Sequence, residues 1–133
     1  GRLKPKKIIV VSSAPQIRYP DCYGIDMSKM GDFIAFKAAV ELLRETGQEH
    51  VLTDLLNRCK DLQRNNQLHN ENLVRQVYKP FPLEQITDKI AQLITPKDFN
   101  IPVQVIFQTI ESLHESCPNN KGDWYFTGNY PTP

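Results

Sequence analysis

The sequence predicts an α/β fold in which a parallel sheet carries a mainly helical middle. Residues 8–11 are consecutive β-branched apolar residues without polar alternation, a pattern typical of a central parallel strand covered on both faces. Residues 101–107 predict another strand. Helical spacing fills most of the chain between these two stretches. The order of strands and helices indicates the α/β class, with two or three strands belonging to one sheet.

The first strand ends in a polar segment that predicts a functional loop. Ser13 and Pro15 follow the apolar run, and Pro20 and Gly24 then interrupt any helical periodicity. In open α/β sheets, ligands bind in the crevice beyond the carboxyl ends of the strands. Loops carry function more often than core positions do. We therefore place the candidate site at this edge of the sheet.

Two helices are predicted in the middle of the chain. Apolar residues recur at helical spacing over residues 28–45, with Ser28 as the candidate N-cap and Gly47 as the stop. A second helical pattern covers residues 50–63. The asparagine-rich residues 64–73 break the periodicity, so we expect a surface loop that leads into a short helical turn.

The last third of the chain alternates helix and strand signals. Prolines in residues 80–82 make a firm break. A helix over residues 83–95 follows, and the strand over residues 101–107 comes next. We then predict a short helix over residues 109–115 and a last strand at the aromatic residues 124–126.

Composition and charge exclude several function classes. The 133 residues are 40% hydrophobic and 23% charged, as in one small globular unit. A net charge of +1 without a basic cluster argues against a nucleic-acid partner. No apolar run approaches the roughly 18 residues of a membrane-spanning helix, and no secretory leader is visible. We therefore expect neither nucleic acid nor membrane as a partner.

The cysteines and histidines predict no metal site. Cys22, Cys59 and Cys117 lie far apart without a CxxC pair, so their spacing indicates neither a zinc site nor a disulfide framework. Cys59 lies on the apolar stripe of its helix, which favours a small buried hydrophobic residue. We expect none of the three histidines to serve as a metal ligand. This use of cysteine fits a reducing compartment, and we expect a cytoplasmic protein.

A dense pattern of characteristic residues follows the first strand. It reads SAPxxRxPxxYGIDM and consists of Ser13, Ala14, Pro15, Arg18, Pro20, Tyr23, Gly24, Ile25, Asp26 and Met27. This pattern resembles the block after the phosphoribosyl-pyrophosphate loop of amidophosphoribosyltransferases, the glutamine-dependent enzymes of the first committed step of purine synthesis. A second stretch, VIFQTIESLHES followed by WYFTGNYPTP, resembles the last strand, helix and strand of that family. The two matches together cover roughly half of the chain.

The resemblance implies a division of the chain. Residues 1–36 and 83–133 would form a C-terminal portion of a phosphoribosyltransferase domain, and residues 37–82 a helical insertion packed on it. A strand of this type normally follows a crossover helix, so we interpret both ends as cuts in a longer protein. The remainder of that polypeptide is then the main expected partner, and we also expect homo-oligomers.

The resemblance also implies an activity, the transfer of glutamine-derived ammonia to phosphoribosyl pyrophosphate to give phosphoribosylamine. The family uses an N-terminal cysteine nucleophile and an adjacent acidic pair that serves magnesium binding, and neither occurs in these residues. We therefore expect no catalytic residue here, magnesium only in the whole enzyme, and regulation by purine nucleotides. Some members hold an iron–sulfur cluster, but Asp21 stands at their first cysteine position with Cys22 displaced by one, so we expect none.

The resemblance also points to the residues of a substrate-binding or regulatory loop. These candidates are Ser13, Arg18, Tyr23, Gly24 and Asp26. An arginine at a strand end can bind phosphate with two hydrogen bonds, but Arg18 could equally hold the loop by pairing with Asp21 or Asp26. Asp26 could also cap the following helix, which is the interpretation we prefer.

A second function class stands beside the enzyme. The chain could be a non-catalytic regulatory or protein-interaction module, in which residues 37–82 do the work and the α/β portion is a platform. The coding sequence upstream discriminates between the two, because only the enzyme requires an N-terminal cysteine and an acidic pair there.

Overall fold

The computed structural model describes residues 4–21, 23–24, 27–67, 72–120 and 122–131. Within these ranges, strands β1 (Ile8–Ser12) and β2 (Val103–Phe107) pair in parallel, with Ile8 opposite Val103 and Ser12 opposite Phe107. The helices, in chain order, are α1 (Ile34–Glu45), α2 (His50–Arg64), α3 (Arg75–Tyr78), α4 (Leu83–Ile94), α5 (Ile110–Ser116) and α6 (Trp124–Thr127). The predicted α/β class is therefore confirmed. None of the described helices is long and apolar enough to cross a membrane.

The sheet is covered unevenly. On one face, Val105 is buried where α4 packs on β2. On the opposite face, Ile9, Val11 and Ile106 are exposed, and Val11 has 68% of its surface open. Coverage of both faces, predicted from the apolar run, is therefore absent from the described part of the chain, because α4 lies over β2 rather than β1. Coverage of β1 by a longer polypeptide stays a prediction.

The hydrophobic core lies between α1 and α4. Leu43 of α1 and Ile86 of α4 are fully buried, and burial of such a side chain stabilises the fold by about 1.5–3 kcal/mol. Ala38 and Ala39 also have no exposed surface, and their small side chains allow close packing against the neighbouring elements. By contrast, α2 buries only Leu55 among its described residues, so it lies at the edge of the core.

The start of α1 differs from the prediction. The helix begins at Ile34, and Met30–Asp32 form a separate 3₁₀ turn before it. Ser28 is therefore not the N-cap. Phe33 takes the cap position in an extended conformation without a side-chain cap, and its ring is buried. The apolar spacing runs through both segments, which is why the pattern alone did not separate them.

The last predicted strand is wrong. Residues Trp124–Thr127 form a single helical turn that ends at Gly128, whose φ of 71° is left-handed. The aromatic side chains favoured a strand, but the Tyr125 carbonyl accepts hydrogen bonds from the loop after β1 instead of from a strand. The helices expected at residues 50–63, 83–95 and 109–115 and the short turn before residue 80 are confirmed within a few residues.

One hydrophobic cluster contains residues from both parts of the predicted division, the helical insertion and the phosphoribosyltransferase-like portion. It includes Leu43 and Tyr78 from residues 37–82, and Ile86 and Val105 from residues 83–133. Helix α1 itself begins before residue 37 and packs on α4. The helical middle and the strand-bearing segments therefore share their core, and an insertion origin of residues 37–82 stays a prediction.

Candidate functional site

The loop after β1 leaves the sheet at its carboxyl edge, next to the end of β2. The Gln108 amide, just beyond β2, donates to the Ser12 carbonyl over 3.2 Å. The Ser12 hydroxyl then turns the chain: its Oγ donates to the Ala14 carbonyl at 2.9 Å and accepts from the Ala14 amide at 3.2 Å. Both strands thus end at the edge where ligands of open α/β sheets bind.

Gln16 anchors the loop in the protein interior. Its side chain is 2% exposed. The amide Nε2 donates to Thr87 Oγ1 at 2.8 Å and to the Leu83 carbonyl at 3.3 Å, both on α4. The Oε1 atom accepts from Arg18 Nη2 at 2.8 Å and Nε at 3.1 Å. A buried amide with partners on both its atoms fixes the loop on α4.

Arg18 points into the molecule from this loop. Its guanidinium bonds to Gln16 and lies over the Tyr78 ring, 5.1 Å from the ring centroid. Among the described residues, its polar partner is therefore an amide and not a carboxylate; Asp26, one of the predicted partners, lies outside these residues. Burial lowers the pKa of Arg18, because removing the charge from water disfavours the protonated form.

The loop backbone is held by tyrosines from distant parts of the chain. The Tyr78 hydroxyl donates to the Arg18 carbonyl at 2.9 Å, and the Tyr130 hydroxyl donates to the Pro20 carbonyl at 3.0 Å. Burial raises the pKa of Tyr78 above its usual range, which keeps the phenol protonated as a donor.

The neighbouring Tyr19 is buried in the same cluster. Its ring meets the Tyr78 ring edge to face, with 5.8 Å between centroids. Its backbone amide and that of Arg18 both donate to the Tyr125 carbonyl, at 3.1 Å and 2.9 Å. Helical turn α6 therefore serves as a backbone acceptor for the loop.

The other predicted site residues that the structure describes lie at the surface. Ser13 is exposed, and Tyr23 is 66% exposed with its ring edge against Trp124, 6.2 Å between centroids. Gly24 has a φ of 68° and open space around it. Asp26 lies outside the described residues. The structure therefore separates Arg18, which faces inward, from Ser13, Tyr23 and Gly24, which face outward.

Two cavities flank the loop. The first has a volume of about 240 Å³ between the end of β1 and the start of α1, and its lining includes Ile17, Met27 and Phe33. It is mainly apolar. The second has a volume of about 210 Å³ between the loop and the β2–α5 connection, and Arg18 and Glu111 both line it. This second cavity, here named the Arg18–Glu111 cavity, is the one with ionic groups of both signs.

Sequence reasoning missed the residues that hold the loop. Gln16 was not singled out although it lies inside the family-like pattern, and Tyr78, Tyr125 and Tyr130 lie outside the loop altogether. A polar residue between Pro15 and Ile17 was the available signal for Gln16. No local signal identifies the tyrosines, because their contacts span about half of the chain or more.

The cysteines and histidines of the described ranges form no metal-binding group. No three His, Cys, Asp or Glu side chains there are placed to hold an ion. Cys59 is half-buried and Cys117 exposed, both as free thiols, and Cys22 lies outside the described residues. His114 has a carboxylate partner that its sequence spacing did not predict, with Nε2 2.9 Å from Asp123 Oδ2. The absence of magnesium and of a cluster from this chain stays a prediction.

Comparison with known proteins gives a local similarity. The chain is similar to the amidophosphoribosyltransferase of Haemophilus influenzae, with 48% identity over 40 residues. That match covers 30% of this chain and 8% of the enzyme. No family model matches the chain, and no solved structure matches it. The comparison therefore supports a link to an amidophosphoribosyltransferase through one short segment.

Proposed function

We propose that this chain is a C-terminal portion of an amidophosphoribosyltransferase, the enzyme that transfers glutamine-derived ammonia to phosphoribosyl pyrophosphate. The local identity to the Haemophilus influenzae enzyme is the observation that carries the proposal. A parallel strand pair followed by an anchored loop is compatible with it, because such sheets bind ligands beyond the carboxyl ends of their strands.

Within this proposal, the outward face of the loop forms a wall of the phosphoribosyl-pyrophosphate or inhibitor-nucleotide site. Ser13, Tyr23 and Gly24 are the exposed candidates, with Asp26 beside them in sequence. The exposed Tyr23 ring offers a stacking surface, and the left-handed Gly24 has no side chain to obstruct a ligand. Arg18 acts from the inner side, where it holds the loop through Gln16.

The remaining parts of the activity belong to the rest of the proposed enzyme. The glutamine-hydrolysing cysteine, the acidic pair and magnesium would lie outside these 133 residues. The exposed face formed by Ile9, Val11 and Ile106 would pack against the remainder of the polypeptide. Homo-oligomers, purine-nucleotide regulation and a cytoplasmic location complete the proposal.

Expression of the complete coding sequence tests the proposal. We expect glutamate release from glutamine that depends on phosphoribosyl pyrophosphate, and no turnover with residues 1–133 alone. Tyr23→Ala should change the Michaelis constant for phosphoribosyl pyrophosphate or the inhibition by purine nucleotides. Lys60→Ala, on the exposed surface of α2, is the matched control and should change neither.

Two outcomes would overturn the proposal. A complete protein that carries no acidic pair and releases no glutamate is not this enzyme. An active protein in which Tyr23→Ala folds normally and keeps wild-type kinetics and inhibition would remove the loop from the site.

A further inference from the structure

We propose that the Arg18–Glu111 cavity binds a small ligand carrying both a carboxylate and an ammonium group, as an α-amino acid does. Arg18 would bind the carboxylate, and Glu111 would bind the ammonium. The proposal does not depend on the enzyme family, because it follows from the charges and the volume of one cavity. The amino acid would bind on the inner side of the loop, whereas the phosphoribosyl pyrophosphate or nucleotide of the proposed function would bind on its outer side.

Arg18 supplies a fixed cation that has no carboxylate partner in the described part of the chain. A guanidinium has five N–H donors, and the bonds from Nε and Nη2 to Gln16 occupy two of them. No ion pair of Arg18 with a described carboxylate accompanies these bonds. A partly buried charge without a partner is costly, and its cost falls when an anion binds beside it. The remaining donors suit a carboxylate, which accepts two parallel hydrogen bonds from arginine.

The geometry of Arg18 is set before any ligand arrives. Gln16 is buried and holds the guanidinium from one side, while the Tyr78 ring covers one of its faces. Gln16 is held in turn by Thr87 and the Leu83 carbonyl on α4. Such a site loses little side-chain freedom on binding, which favours affinity for a small ligand.

Glu111 gives the cavity its second charge. It lies in the first turn of α5 and lines the same cavity as Arg18, but no ion pair joins the two side chains. A simple dianion such as phosphate would be attracted by Arg18 and repelled by Glu111. A zwitterion would place its carboxylate beside Arg18 and its ammonium group beside Glu111. The two opposite charges therefore favour a zwitterion over an anion.

The size of the cavity suits a small ligand. Its volume of about 210 Å³ accommodates a small α-amino acid. Gln108 and Thr109 add polar groups to the wall, and Phe126 adds an apolar surface for a short side chain.

Titration of the intact protein with L-alanine, propionate and ethylamine tests the proposal by amide NMR shifts. Propionate lacks the ammonium group of alanine, and ethylamine lacks its carboxylate. We expect saturable shifts around Arg18 and Glu111 with alanine, and clearly weaker binding of the other two. This measurement needs no turnover, so its result is independent of the proposed enzymatic function.

Two variants separate the charged contacts. Arg18→Lys should weaken binding of both alanine and propionate about tenfold, the loss expected for one charged hydrogen bond. Glu111→Gln should weaken alanine binding by a similar factor and leave propionate binding unchanged or improved. Arg64→Lys and Asp54→Asn, at exposed positions of α2, a helix that contributes no residue to the cavity lining, are the matched controls and should have no effect.

The Glu111 variant keeps the test decisive if Arg18→Lys disturbs the loop. Glu111 is exposed, so its substitution leaves the core intact. Binding of propionate or inorganic phosphate as strong as that of alanine would overturn the proposal, because the cavity would then select only an anion. A complete lack of saturable shifts with alanine would overturn it as well.

Discussion

The loop after β1 and the α1–α4 helix pair are held by different kinds of contact. Between the helices, Leu43 and Ile86 are buried among apolar neighbours, and the attraction between them has no preferred direction. In the loop, Gln16 and Arg18 form directed hydrogen bonds, and tyrosine hydroxyls hold the backbone carbonyls. The helix pair therefore depends on the volume of its side chains, and the loop depends on individual polar atoms.

This difference bears on function. A loop held by polar atoms keeps a defined shape at the carboxyl edge of the sheet without burying large apolar side chains at its surface. Tyr23 and Gly24 can therefore stay exposed while Gln16 and Tyr19 lie in the interior. Four substitutions distinguish the two kinds of contact, and they follow from the largest expected effect to the smallest.

Leu43→Ala should lower the free energy of unfolding by about 2–5 kcal/mol, because it removes a side chain with no exposed surface and leaves a cavity. Chemical denaturation measures this change. Leu56→Ala, at a position of α2 that is 55% exposed, is the control and should cost less than about 0.5 kcal/mol. Equal losses at the two positions would show that the core does not lie between α1 and α4.

Gly128→Ala should lower the free energy of unfolding by about 2–3 kcal/mol. A left-handed backbone costs a residue with a side chain about 1–2 kcal/mol. The added Cβ would also lie 2.6 Å from Asn72 Nδ2, whose hydrogen bond to the Gly128 carbonyl contributes about 1 kcal/mol more. Gly24→Ala, at a similar φ in open space, should lose only the backbone contribution. Thermal or urea unfolding of both variants would contradict this account if Gly24→Ala proved the more damaging.

Gln16→Leu should lower the free energy of unfolding by about 1–2 kcal/mol, since Arg18 loses its acceptor and Thr87 loses a donor. Trypsin should cleave after Arg18 faster in this variant under native conditions, because the loop loses its anchor on α4. Gln85→Leu, on the exposed side of α4, is the matched control. An unchanged cleavage rate would mean that the tyrosines alone hold the loop.

Tyr78→Phe should cost about 1 kcal/mol at neutral pH through the lost hydrogen bond to the Arg18 carbonyl. Burial raises the pKa of Tyr78 above its usual value of 10.0, so the folded protein retains a proton that the unfolded chain releases. The resulting stability is complete below about pH 10 and is lost as the pH rises above that value. The advantage of wild type over Tyr78→Phe should therefore shrink above pH 10 in urea unfolding curves. A difference that stays constant up to pH 11 would contradict a buried phenol.

Local sequence determined most of the secondary structure. The β-branched run of β1, the helical spacing of α2 and α4, and the stop at Gly47 were all readable because each depends on neighbours within a few residues. Parallel pairing was predicted from the apolar run of β1, which has no polar alternation. The position of the loop at the carboxyl edge of the strands followed from that prediction.

Tertiary structure decided the elements in which distant contacts outweigh local preference. Helix α1 starts at Ile34 because Phe33 is buried in an extended conformation. Residues Trp124–Thr127 form a helical turn in which the Tyr125 carbonyl accepts hydrogen bonds from the loop after β1. The contacts of Arg18 were also decided there: sequence reasoning left phosphate and carboxylate partners open, and the fold brings Gln16 and Tyr78 to its guanidinium. Its role in ligand binding stays a prediction. Hydrogen bonds of this kind join residues up to 110 positions apart, and periodicity contains no information about such pairs.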